Sequence, residues 1–235
     1  MNHKRLLLLL AIVGIAVVVA VQVTNSSINR SQFIASADIP TVAPGVDVLA
    51  GVALMPLRIR SYDYRRDAFG DSWTDDNDAP GGHNGCDTRN DILERDLVDK
   101  TYVSIKRCPN AIATGTLHDP YTNATVALVR GEKTGAAVQI EHIVPLAYAW
   151  DMGARFWTDE LRVRFANDPG NLLAVEGQVN QDKGDSEPAL WMPPNSAFHC
   201  QYAMQFIAVA RGYGLPVDAP SVPALRDAAS TCPTG

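Results

Sequence analysis

Adjacent Glu141 and His142, with Asn171 and Asn180 downstream, have the types and spacing to activate a water beside a hard cation. Glu141 and His142 are neighbours inside VQIEHIVPL, residues 138–146. Val138, Ile140, Ile143 and Val144 are the apolar, β-branched residues of a buried strand. A carboxylate or an imidazole buried there without a partner costs several kcal/mol, so something must satisfy the pair. Asn171 opens the short apolar stretch NLLAV, and Asn180 follows nine residues later on a helical stretch. A strand carrying Glu-His, a strand opened by Asn and a helix carrying Asn could bring Glu141, His142 and Asn180 around one cation. Carboxylate and amide oxygens suit Mg²⁺ or Mn²⁺, which keep several of their waters. His142 would then take a proton from a water, as an imidazole with an ordinary pKa of about 6.5 can do at mild pH.

The elements that must position these residues alternate along the chain. DTRNDILERDLVDK (87–100) has Ile92, Leu93, Leu97 and Val98 at helical spacing. Strands are expected at 101–106 and 125–130, with DPYTN (119–123) as the turn before the second. Val138–Val144 is the third strand. A helix should start at Pro145, another after an N-cap at Thr158, and the one carrying Asn180 should break at Gly184 and Pro188. Residues 196–214 form a long amphipathic helix closed by a glycine, and a last helix covers about 222–230. Residues 50–60 read as either helix or strand. DAFGDSWTDDNDAPGGHNG (67–85) reads as a solvated loop, because it lacks the spacing and closing glutamate of an EF-hand. The expected class is α+β.

The chain of 235 residues suffices for one core, and its net charge of -6 argues against a non-specific polyanion binder. MNHKR followed by the uncharged run Leu6–Val21 is a signal peptide or a signal anchor at residues 1–23, and either one exports the rest of the chain. If uncleaved, the segment makes the membrane a partner; otherwise the protein is secreted. Residues 24–45 read as a linker and 46–235 as the folded domain. The four cysteines contain no C-x-x-C pair, and in an exported chain they read as two disulfides. Of three possible pairings, Cys86–Cys108 and Cys200–Cys232 each close a modest local loop.

Taken in order, HNGCDTRNDIL, GTLHDPYT, VQIEHIVPLAYAW, FANDPGNLLAV, NQDKGD and WMPPN resemble the HNH endonucleases. The likeness is to the exported actinobacterial-type branch related to the C-terminal domain of modification-dependent restriction enzymes. It spans roughly residues 80–232. It implies a ββα-metal (His-Me finger) core with additional helices and short strands, and hydrolysis of DNA, or of RNA, to a 5′-phosphate and a 3′-hydroxyl. It also implies roles. Glu141 and Asn180 would hold one divalent cation, Mg²⁺ or Mn²⁺, and His142 would be the general base. Asn171 would hold the loop and orient the histidine, and Lys183 would meet a phosphate, with Arg89 adding positive charge. The family usually has Asp where this chain has Glu141. Two other classes stay open: an inactive binding module on the same scaffold, and a hydrolase of another phosphodiester. The oligomeric state is not legible.

Overall fold

The computed structural model describes residues 39–132 and 134–234. The expected signal or anchor segment, and most of the expected linker, lie outside the described residues. The described residues from Thr41 onward form one compact body; the Val42 N–H already donates to the Pro233 carbonyl at 3.0 Å.

The body is mixed α+β. In chain order its elements are β1 (Leu54–Met55), α1 (Thr88–Asp96), β2 (Leu97–Val103), β3 (Ala111–His118), β4 (Thr125–Val129), β5 (Val138–His142), α2 (Leu146–Asp151), α3 (Asp159–Asn167), β6 (Leu172–Glu176), α4 (Gly177–Lys183), α5 (His199–Gly212), β7 (Val217–Asp218) and α6 (Ser221–Ala229). β2, β3 and β4 form an antiparallel meander, β5 pairs antiparallel with β6, and β1 pairs parallel with β7. Both expected disulfides form, Cys86–Cys108 and Cys200–Cys232.

Two expectations need correction. The helix begins as expected, with the Asp87 carboxylate accepting from the Asn90 N–H, but it ends at Asp96 rather than running to residue 100. Leu97 instead opens β2, which pairs with β3, a strand the pattern did not announce. β3 reads AIATGTLH, with small residues where a strand usually carries bulk. The reason is crowding. A Cβ on Gly115 would lie 3.2 Å from Leu97 Cβ, tighter than an ordinary contact, so glycine lets the two strands approach without displacing Leu97.

The β5–β6 hairpin lies between two cores. Val138, Ile140, Leu172 and Ala174 join Ile92, Leu93, Ile112, Leu117 and Leu128 of the meander side. Ile143, Val144, Val175 and Val179 join the larger core built by α2, α3, α5 and α6 around Tyr148, Phe165, Tyr202 and Phe206. α4 packs on both strands. A two-stranded sheet has two bare edges, and side chains satisfy these. Arg89 Nη2 donates to the Val138 carbonyl, Arg95 Nη2 to that of Leu172, and Asp96 and Asp119 accept from the N–H groups of Ala174 and Glu176. The strand carrying Glu141 and His142 is thereby fixed without a third strand.

Candidate active site

β5 delivers Glu141 and His142 to the wall of a cleft of about 430 Å³, and α4 delivers Asn180 to the same cleft. Three of the residues singled out from sequence thus converge, from a strand–strand–helix unit. Tyr64, Arg66 and Asp185 also line the cleft. No helix among the described residues is long and apolar enough to cross a membrane.

His142 is only 6% exposed. Its Nε2 lies 2.9 Å from the Ala166 carbonyl. A carbonyl only accepts, so Nε2 carries the hydrogen and Nδ1 keeps the lone pair. Ala166 sits in the last turn of α3, where carbonyls lack an intrahelical partner. The Gly170 N–H that would have served it donates instead to Asp168. Helix termination therefore creates the acceptor that fixes the tautomer. Trp73 stacks on the imidazole with centroids 5.4 Å apart and planes at 13°. Burial pushes the His142 pKa down to about 3; the Ala166 bond opposes this, while the Arg66 and Lys183 charges reinforce it. The imidazole is therefore neutral at mild pH.

Glu141 is equally buried, and its Oε1 pairs with the Lys183 ammonium. Lys183 also donates to the His142 carbonyl at 3.1 Å, and its ammonium lies 5.9 Å from the centre of the Trp191 ring. Burial raises the Glu141 pKa, with Lys183 opposing. Lys183 does not stand at the surface to meet a phosphate, because its side chain is fully buried beneath β5. It neutralises Glu141 from below.

Asn171 is fully buried and staples the stem of the long excursion between β5 and β6. Its Oδ1 accepts from the Val144 N–H at 2.8 Å, its Nδ2 donates to the Val144 carbonyl at 3.2 Å, and its own carbonyl accepts from the Ile143 N–H at 2.9 Å. It grips the chain just after His142 rather than the imidazole itself. Asn180 Nδ2 donates to Gln139 Oε1 at 2.9 Å, so its amide orientation is set and its Oδ1 is turned away from that bond. Arg89 is not in the cleft; it binds the Gly135 and Val138 carbonyls at the far end of β5.

Two groups at the site escaped the sequence reading. Arg66 opens a turn of 3₁₀ helix, Arg66–Phe69, and lines the cleft. Trp73 adopts a left-handed φ of 59°, which a bulky residue takes only under constraint. Its carbonyl accepts from the Thr88 N–H at the start of α1, and Asp75 pins the same loop through the N–H groups of Asn84 and Gly85. The signal for Arg66 was available: RIRSYDYRR (58–66) interleaves arginine with tyrosine in an otherwise acidic chain. Arg58 anchors that segment to Asp151, Asp185 and Glu187. Nothing local marks Trp73.

Residues 87–219 match the family described as GmrSD restriction endonucleases, C-terminal domain. The chain belongs to that family. It is also 34% identical over 198 residues to a protein of Arthroderma benhamiae described as an uncharacterized secreted protein, covering 83% of this chain and 88% of that one. No solved structure matches the chain. The GmrSD match begins at Asp87, the cap of α1, so Arg66 and Trp73 belong to chain that precedes the family's matched region.

The donors available to a metal are few. Among the described residues no group of three or more His, Cys, Asp and Glu side chains could hold an ion. The cleft wall offers two carboxylates, Glu141 and Asp185, and the amide oxygens of Gln139, Asn180 and Gln181. Asp185 is already paired with Arg58 and Arg60, and Gln139 Oε1 accepts from Asn180, which leaves Glu141 and Asn180 as the donors beside His142. That set fits a hard cation that keeps most of its shell as water, and it does not fit a zinc site.

Proposed function

We propose that the chain is an exported, divalent-cation-dependent endonuclease that hydrolyses phosphodiester bonds of DNA on a ββα-metal core made by β5, β6 and α4. The observation that carries this is the convergence of Glu141, His142 and Asn180 on one cleft, with Nε2 of His142 tied to Ala166 and Nδ1 left as proton acceptor. Family membership supports nuclease chemistry, and the secreted relative supports export.

Glu141 and Asn180 are the residues that would hold Mg²⁺ or Mn²⁺, which when bound would neutralise the phosphate and stabilise the leaving oxygen. The chain's own groups do the rest. His142 Nδ1 accepts the proton of the attacking water. Ala166 holds the ring against rotation and stabilises the imidazolium that forms. Trp73 shields the imidazole from solvent. Arg66 supplies positive charge for the phosphate. Burial is the main cause of the low His142 pKa, and the Arg66 and Lys183 charges add to it; an entering phosphate anion offsets those two charges, so the base strengthens when substrate binds. Asn171 and Lys183 are positioning residues.

The ion pair between Lys183 and Glu141 favours a second reading. A carboxylate already neutralised attracts a cation less, which suits a catalytically weak binding module. Plasmid cleavage separates the two. The nuclease reading expects supercoiled DNA to be nicked with Mg²⁺ or Mn²⁺ and not with EDTA, leaving 5′-phosphate ends, and Asn180→Ala to raise the metal concentration required. No cleavage of single- or double-stranded DNA or RNA with either metal overturns it in favour of the binding module.

A further inference from the structure

A second recess, lined in part by Gly131, Glu132 and Gly135, shares no lining residue with the cleft. It has a volume of about 310 Å³, at the lower end of the roughly 300–1,000 Å³ of small-molecule sites. Leu93, Ile112 and Leu128, all buried, give it an apolar wall, and Arg89 and Arg130 give it two cations. The acid among its lining is Glu132.

Both guanidiniums are held in place by neutral acceptors. Arg89 uses Nη2 for the Gly135 and Val138 carbonyls, at 3.1 and 2.9 Å. Arg130 uses Nε for the Ile112 carbonyl at 2.7 Å and Nη2 for Asn90 Oδ1 at 2.6 Å. Among the described residues neither forms an ion pair, Glu132 included. Burial holds Arg89 below the usual guanidinium range; Asp87 opposes this and the nearby Arg130 charge adds to it. Two oriented cations beside an apolar wall, neither of them in an ion pair among the described residues, call for an anion with an apolar body. Guanidinium forks favour tetrahedral oxyanions, which they meet with charge-assisted hydrogen bonds.

We infer that this pocket binds a single nucleotide, its phosphate between Arg89 and Arg130 and its base against Leu93, Ile112 and Leu128. The choice of a nucleotide rests on the nuclease reading; the call for an anion does not. The pocket is wired to the cleft through β5. Arg89 holds the Val138 carbonyl, and the next residue, Gln139, holds Asn180. At about 3.3 Å per strand residue, Val138 lies roughly 10 Å upstream of Glu141. A nucleotide flanking the scissile bond, or a 5′-phosphorylated product end, is the occupant that this spacing suits.

The test is calorimetry on the full chain in EDTA, so that no metal in the cleft can capture phosphate. The probes are 5′-dAMP, deoxyadenosine and inorganic phosphate. We expect 5′-dAMP to bind at least tenfold more tightly than either of the others. Arg130→Gln should weaken it tenfold or more. So should Gly135→Leu, a safe way to fill the recess because a Cβ on Gly135 meets no atom within 4 Å. His142→Ala should leave the affinity unchanged. Absence of 5′-dAMP binding, equal binding of phosphate, indifference to both pocket variants, or loss in His142→Ala would each overturn the inference. A chain that binds 5′-dAMP in this pattern yet cuts nothing would keep the site and reject the nuclease.

Discussion

Acid should unfold this protein partly through one imidazole, and the size of the effect is set by the burial of His142. In the unfolded chain a histidine titrates at about 6.5; in the fold, burial beneath Trp73 and above the α3 terminus brings the pKa down to about 3. Proton binding gives the sign. Between these values the unfolded state takes up a proton that the native state refuses, so stability present above about pH 6.5 is lost as pH falls. At about 1.36 kcal/mol per unit, the loss from this residue is about 2 kcal/mol at pH 5 and about 3 kcal/mol at pH 4. His142→Gln isolates the contribution, because its amide can still donate to Ala166 and does not titrate. Urea unfolding at pH 7, 6, 5 and 4 measures it, provided both disulfides stay oxidised. The wild type should lose stability more steeply than His142→Gln, by about 1 kcal/mol per pH unit below pH 6. Parallel curves would refute the reasoning, since the carboxylates that titrate in the same range are common to both proteins.

Contacts around the site set three further outcomes. Lys183→Met should cost about 3–5 kcal/mol by leaving Glu141 buried and unpaired; adding Glu141→Gln should recover part of it, as a thermal melt of the double variant would register. Asn171→Ala strips both partners from the Val144 backbone and should cost about 2–4 kcal/mol, with cleavage falling even at temperatures where the variant stays folded. Reducing Cys86–Cys108, which closes 22 residues, should destabilise the fold by about 3 kcal/mol and loosen the loop that carries Trp73; near-ultraviolet dichroism of the tryptophans would report that loosening first.

The sequence disclosed the strand of the site more readily than its surroundings. Glu141 and His142 declared themselves because two ionisable groups interrupted an apolar strand pattern, and the downstream Asn171 and Asn180 lay on elements short enough to return to it. The disulfides were legible because local loops close cheaply. β3 was not, because its residues are small: what makes AIATGTLH a strand is its antiparallel pairing with β2 on one side and β4 on the other, a tertiary fact. The same pairing turned the end of the expected helix into β2, overriding the helical spacing of Leu97 and Val98. Lys183 was expected to meet a phosphate, because lysines seldom lie inside, and only the buried Glu141 above it explains its place. Arg66 and Trp73 reach His142 from some seventy residues away, a separation that no local pattern encodes.

The central claim is that His142 accepts the proton of the attacking water, and the most direct measurement is the rate of plasmid nicking by wild type and His142→Ala in the same saturating Mg²⁺ or Mn²⁺. The account predicts metal-dependent nicking by the wild type and a loss of about 10²–10⁴-fold in the variant, with its disulfides intact and its fold preserved by circular dichroism. Equal nicking rates in the two proteins would contradict it.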